Sequence, residues 1–538
     1  MYQKTLKRLF FLSIILGGLS FLSSCKKDVT KIASTGWNPN LAVPVGEANF
    51  EISTLLENID SSIVVGSSGE ISIAFEETLD SISSSDVIVL DDYSQSFDLT
   101  PSGLATTPIF TSGSTYSATS PISTAYTAPN GVEINAVNFK SGQINFTVTS
   151  DFQHDIDLVI TIDDILINGS ALSQSVALVY TGSLPVVQNV SVDLAGATAD
   201  FTSGNTQINT LSGSIDATFT ASGTPGNPIL GTESLTMDLD LVNLEYENIT
   251  GYFGQETLTT ISDSVLFKLF QNSEMSGNIA FSNPSLTFNI QNSFGIPVDL
   301  NLSNFKTIDS TSGESTDMIL ATNIINLNTP SVIGNSALTS FTINKDNTTN
   351  IETLIGTKPR YLKFDFSAST NPLGNTGTLN FLESDSKIVV NAALDLPFEG
   401  SASGISAGDT LDFSFENDVD IVESVMFRLN VDNGFPVSFK GQGKFVDENY
   451  NTVFTLFTTP TEVVKAAPVN NTTGKVNGTS SKITDISIDE NKIQLLNQVK
   501  HIIIEGTVDT TDPSNTNVKF YDSYSISLKL GMQVKLQN

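Results

Sequence analysis

The side chains that carry out most enzyme chemistry are scarce in this chain: of 538 residues, two are histidine and one is cysteine. They are His154, His501 and Cys25. A His/Cys zinc site needs three or four ligands of these kinds. A serine hydrolase would have to draw its base from one of two histidines, and neither lies near a Gly-x-Ser-x-Gly turn. His501 falls at the start of a predicted strand and His154 in a polar loop, which gives both a structural or solvated role. Carboxylates are plentiful, with 58 Asp and Glu, but the paired acids of a glycoside hydrolase are defined by proximity in space, and abundance does not argue for them. Asp91-Asp92, Asp163-Asp164 and Asp447-Glu448-Asn449 offer the hard oxygens that calcium takes. None has the spacing of an EF-hand loop, and the third suits the tight turn of a hairpin better. No catalytic residue, metal or cofactor is expected, so the chain reads as a non-enzyme.

Cys25 has a setting of its own. Lys4, Lys7 and Arg8 form a positive start, Leu9 to Leu22 an apolar stretch, and Ser23 and Ser24 supply small residues before the cysteine. The stretch contains Gly17, Gly18 and Ser20 and is short for a bilayer span. The run Leu22-Ser23-Ser24-Cys25 resembles the lipobox of bacterial lipoproteins. That resemblance implies a signal peptide over 1–24, acyl chains on Cys25, and a lipidated tether over 25–45. Several acyl chains, at about 0.8 kcal/mol per buried methylene, hold such a protein stably on a membrane. The competing reading is an uncleaved anchor with an incidental cysteine. Lys26-Lys27-Asp28 only partly resembles the acidic surface-export tag of Bacteroidota, which leaves the periplasmic and outer faces of the outer membrane both open.

The formal net charge is −33, and removal of Lys4, Lys7 and Arg8 with the signal makes it more negative. A chain so acidic does not hold nucleic acid by charge. The acidic residues are dispersed, which suits a folded, solvated surface better than a disordered tail. With 39% apolar residues, there is enough material for several cores.

Those cores are predicted to be β. Val, Ile, Thr and Phe alternate with Ser, Asn and Asp, with turn residues between the runs; Val390 to Leu396 and Ile526 to Leu530 are clear cases. No segment sustains a helical apolar stripe. Repetition is the strongest organising signal. Ile144 to Val148 followed by Ile156 to Ile160 recurs 142 residues later as Leu286 to Ile290 and Val298 to Leu302, and after a further 139 as Val425 to Leu429 and Val437 to Gly441. Three copies of one hairpin are expected. Gly295-Ile296-Pro297 and Gly434-Phe435-Pro436 form the later two turns, where glycine would permit a positive φ and proline would set the next strand; Asp155 replaces the proline in the first. A second element, Ile351 to Leu354, recurs at Ile493 to Leu496, Ile208 to Leu211 and Ile52 to Leu55, each a helical turn or a strand end, with Thr54 and Glu57 able to form a capping box. The fold expected is all-β, with tandem antiparallel β-sandwich-like modules of about 140 residues. Its divisions are a partial module over 46–130 and full modules over 131–273, 274–413 and 414–538.

The run from Asn283-Pro284 through Gly295-Ile296-Pro297 to Leu300 resembles the Asn-Pro hairpin of the late-embryogenesis-abundant type 2, or water-stress and hypersensitive response, β-sandwich. With Trp37 to Pro44 and Asn433 to Pro436 added, the chain is similar to large uncharacterised lipoproteins of Bacteroidota. The first resemblance implies small β-sandwiches with a non-enzymatic role. Asp80-Ser81, Asp263-Ser264, Asp309-Ser310, Asp409-Thr410 and Asp509-Thr510 begin triplets that resemble the O-glycosylation sequon of these bacteria. The function expected is that of an outer-membrane-anchored lipoprotein with a structural or binding role in the cell envelope, its one implied partner the membrane. The alternative is a carrier holding a lipid or other apolar ligand in a groove between sheets. Phe dominates the aromatic residues, 33 against 11 Tyr and one Trp, which suits core packing better than a sugar platform.

Overall fold

The computed structural model describes residues 40–536 except 53–62, 103–110, 129–130, 224–225, 259, 268–275, 310–311 and 414–421. Cys25 with its lipobox, Trp37, and the Thr54–Glu57 capping box lie outside the described residues. In chain order, a leader comprises β1 (Asn40–Glu51), β2 (Ile63–Val65), β3 (Ile71–Ser83) and β4 (Tyr93–Asp98). A first sandwich follows with β5 (Thr115–Ala125), β6 (Glu133–Ser150), β7 (Asp155–Ile167), β8 (Ser170–Leu178), β9 (Val186–Asp193), β10 (Thr198–Asp200), β11 (Thr210–Thr220) and β12 (Leu235–Tyr252). The second holds β13 (Ile261–Leu266), β14 (Asn278–Phe281), β15 (Ser285–Asn292), β16 (Val298–Asp309), β17 (Ser315–Asp317), β18 (Ile324–Asn326), β19 (Ala337–Ile343), helix α1 (Ile351–Gly356), β20 (Pro359–Thr370), β21 (Asn380–Glu383) and β22 (Lys387–Pro397). After β23 (Glu399–Ser403), the third holds β24 (Ile405–Asp412), β25 (Val422–Asn433), β26 (Val437–Val446), β27 (Thr452–Thr455), β28 (Thr461–Val464), β29 (Ser480–Asp489), helix α2 (Glu490–Leu495), β30 (His501–Thr510), β31 (Val518–Lys519) and β32 (Ser525–Leu536).

The fold is all-β and antiparallel, and the three sandwiches share one pairing scheme. Their front sheets run β4-β12-β6-β9, β3-β22-β15-β19 and β1-β32-β25-β29. Their back sheets run β5-β11-β7-β8, β13-β20-β16 with β17 and β18, and β24-β30-β26 with β27 and β28. Burial follows the predicted alternation: Ile388, Val390, Ala392, Leu394 and Leu396 of β22 are all buried, and the residues between them are not. In the second sandwich the Phe288 ring meets Phe364 and Phe366 of the opposite sheet edge-on, at 5.2 and 5.0 Å between centroids. Such contacts fill the space between sheets about 10 Å apart.

The first strand of each front sheet comes from the leader, and in reverse order. β1 closes the third sandwich, β3 the second and β4 the first. Residues 46–130, expected as one partial module, are thus shared among three sandwiches. Each sandwich also begins one strand earlier than the repeat pattern implies, with β5, β13 and β24. β5 and β24 are largely polar, and β13 is short, so the apolar repeat does not register them; β24 reads Ile-Ser-Ala-Gly-Asp-Thr-Leu-Asp, with Leu411 alone buried. The sandwiches are tied together by β21, which pairs with β12, and by the short sheet β14-β23-β31.

The three expected hairpins are arches. β15 lies in the front sheet and β16 in the back, and the same holds for β25 with β26; β6 and β7 likewise form no ladder with each other, but the short β10 pairs with both and joins the two layers of the first sandwich into one continuous sheet. A buried residue at the end of the first strand caps the crossing. The Oδ1 of Asn292 accepts the N–H of Phe294 at 2.9 Å and that of Asn433 accepts the N–H of Phe435 at 3.0 Å, while Ser150 Oγ accepts the N–H of Phe152 at 3.1 Å. Each phenylalanine then points into the core. Asn433 Nδ2 donates to the carbonyls of Phe435, Val437 and Lys465, and Asn292 Nδ2 to that of Asn328, so the cap also grips a later loop. Gly295 and Gly434 have ordinary negative φ, which corrects the reason expected for them. They are required by close approach: a Cβ on Gly295 would lie 2.2 Å from the Phe381 ring, and one on Gly434 would lie 2.8 Å from the Ser525 carbonyl. The recurring Ile-x-x-Leu element is helical at Ile351 and Ile493, in α1 and α2, whereas at Ile208 it runs into the start of β11.

Two outcomes test this arrangement. A fragment from Ser414 to Asn538 lacks β1 and β24 and should show no cooperative melt by circular dichroism, whereas the same fragment extended back to Ile405 and fused to residues 40–52 should melt in one transition. In the whole chain, Asn433→Ala should lower stability by about 2–4 kcal/mol in urea, because several buried backbone groups lose their partner, while Pro436→Ala should cost less than about 1 kcal/mol.

Candidate functional site

The residues singled out for their chemistry are not brought together. His154 lies buried in the arch of the first sandwich, which of the structural and solvated roles expected for its polar loop leaves the structural one, at the position that Ile296 fills in the second. Its Nδ1 accepts the N–H of Ser222 at 3.1 Å. Burial holds its pKa below the ordinary histidine value, against the opposing charges of Glu233 and Asp155. His501 begins β30 as expected; its Nδ1 stands 3.0 Å from Asp412 Oδ1, and its ring stacks on Tyr450 at 4.8 Å. This is a surface arrangement in another sandwich.

The acidic runs serve the backbone. Asp447 Oδ1 accepts the N–H groups of Asn449 and Asn451 at 2.8 and 2.9 Å and closes the turn between β26 and β27. The bonds from Asn451 hold its carboxyl below the usual range. Asp92 Oδ1 accepts the Asn243 N–H, and Asp164 Oδ2 accepts both the N–H and the hydroxyl of Ser212. Among the described residues no group of three or more His, Cys, Asp or Glu is placed to hold a metal ion.

The feature that sequence reasoning missed is a gap in the third core. The buried apolar residues of the first two sandwiches form one continuous cluster, while those of the third divide into three. Between its sheets lies a cavity of about 110 Å³, walled on the front by Phe427, Leu429, Val431 and Leu528 and on the back by Phe445 and Ile504. An adjoining cleft of about 300 Å³ shares Phe439, Val464 and Ile526 with it and opens among Ser406, Ser438 and Asn433. The one polar side chain on the first cavity's wall, Gln442, is engaged with the backbone: its Nε2 donates to the Phe457 carbonyl, and its Oε1 accepts the N–H groups of Gly443 and Phe457. At about 24 cal/mol per Å³, an empty cavity of this size costs roughly 2–3 kcal/mol. The sequence did hold a signal: the inward position occupied by Ile160 and Leu302 in the first two copies is Gly441 in the third.

No described protein family matches the chain, and no curated protein sequence does. Its fold is similar to a candidate secreted protein of Parabacteroides distasonis ATCC 8503, with 15% identity and a TM-score of 0.33 over 53% of this chain and 88% of that one. It is also similar, at 9% identity, to the triple jelly roll fold of an archaeal virus, with a TM-score of 0.11 over 82% of this chain and 95% of that one. A further likeness is to the VP2 subviral particle of infectious bursal disease virus, also at 9% identity, with a TM-score of 0.14 over 81% and 84% of the two chains. Likenesses at these values carry no argument about function.

The buried histidine gives a pH test. Because the folded chain binds a proton at His154 less readily than the unfolded chain, this group withdraws stability as pH falls through about 6.5. Relative to the parent, His154→Ile should therefore gain thermal stability between pH 7.5 and 5.5, and a constant difference across that range would rule the coupling out.

Proposed function

We propose that this chain is a lipid-anchored, non-catalytic protein of the outer membrane, in which three sandwiches held in a row form a structural or binding array. One observation carries the reading: the segment that follows Cys25 runs on as β1, β3 and β4 and is built into each front sheet in turn. A tether that merely linked an anchor to a folded body would not take this path. A pull on the anchor would enter at the edge of the third sandwich, and the strand order makes the first sandwich the most distant along the leader. No helix among the described residues is long and apolar enough to cross a membrane, which is consistent with lipid attachment without requiring it. The space between the sheets of the third sandwich supports the alternative reading of a carrier there.

Cys25→Ser tests the anchor. The variant should leave the membrane fraction for the soluble periplasm and lose incorporation of an alkynyl fatty acid, and a variant that keeps the label would overturn the reading.

A further inference from the structure

Strand β26 is unusual among the second strands of the three arches. Its inward positions run Phe439, Gly441, Gly443, Phe445, where β7 has Leu158, Ile160 and Ile162, all buried. Gly441 faces Gly506 on the neighbouring β30. A Cβ would lie 2.4 Å from the Phe439 ring at Gly441 and 2.7 Å from it at Gly506. The ring therefore lies along its own sheet, over two residues without side chains. In the second sandwich Phe288 reaches across to the opposite sheet. Glycine within a strand otherwise weakens it and marks a place where something comes close to the backbone. Here the result is the interior space between Val431 and Ile504, with Phe439 at its junction with the cleft toward Ser406 and Ser438.

We propose that the third sandwich binds the acyl chain of a membrane lipid, which enters through the cleft, passes Phe439 and ends against Val431, Leu528 and Ile504. The walls select the ligand. Hydrocarbon with no hydrogen-bonding group suits the inner cavity, since Gln442 is already engaged, and the hydroxyls of Ser406 and Ser438 at the cleft suit an uncharged polar head. A strongly anionic head is disfavoured by the net charge of −33. Cleft and cavity together reach the size of ordinary ligand sites, about 300–1,000 Å³. The membrane as source rests on the anchor reading: Phe50 of β1 lines the cavity, and residues 26–39 between Cys25 and β1 can reach at most about 50 Å when fully extended, at about 3.3–3.6 Å per residue. The third sandwich is thus the one held nearest the bilayer.

The test uses the mature chain from Lys26 to Asn538, purified without detergent and titrated with N-phenyl-1-naphthylamine. Fluorescence should saturate at one site per chain and be displaced by monooleoylglycerol. Val431→Phe and Ile504→Phe, which fill the cavity from opposite sheets, should each weaken binding at least tenfold and raise the melting temperature. The absence of a saturable signal, or unchanged affinity in both variants, would overturn the site. If neither variant folds, the parent decides: a diazirine-bearing monoacylglycerol should label peptides from β25, β28 and β32, and labelling elsewhere alone would overturn it. The same lipid supplied in phosphatidylethanolamine vesicles to the anchored protein should label the same peptides; binding of the free probe without labelling from vesicles would reject the membrane as source. The titration requires no anchor, so its failure and the failure of Cys25→Ser to release the protein are distinguishable.

Discussion

The backbone hydrogen bonds between the leader and the last strand of each sandwich are the constraint on which the rest depends. Without them β12, β22 and β32 would each be an edge for much of its length, presenting unpaired N–H and C=O groups beside an apolar face. The leader covers those edges, and β1 alone runs in register along β32 from Asn40 opposite Lys535 to Glu51 opposite Ser525, with one bulge. These contacts join the start of the described chain to its end. The loop-closure entropy of such pairing is met only after most of the chain has been ordered, so the third sandwich closes when both ends of the protein are present.

The arches extend the same logic inside each sandwich. A hairpin would keep both strands in one sheet; an arch sends them to opposite sheets and needs a buried turn whose polar groups are satisfied without water. Asn292 and Asn433 meet that need by accepting one backbone N–H and donating to carbonyls of the arch or of the returning loop. Ser150 does the accepting half of the work in the first copy. The phenylalanine two residues on is buried in all three, so the cap and the core are set by one short segment.

Given a shared frame, the copies differ in how they fill it. The first two sandwiches pack Ile, Leu and Phe into one core, while the third carries glycine where a large side chain would meet the opposite sheet. The cost of the cavity would be offset by an occupant that replaces the lost contacts.

The sequence by itself determined the all-β character and most of the buried faces, because a strand with one face in a core must alternate. It also placed His501 at a strand start and Asp447 in a turn, both set by local chemistry. Alternation states which face of a strand is buried but not which strand lies beside it, so Leu286 to Ile290 and Val298 to Leu302 read equally well as a hairpin or as an arch. The leader strands carried no sign of their destination, since pairing through the backbone leaves no mark on side-chain type. The loop around His154 looked polar, yet the arch buries it. The cavity was written in Gly441 and Gly443 but became visible only when the facing sheet was in place, because an unfilled volume belongs to two surfaces at once.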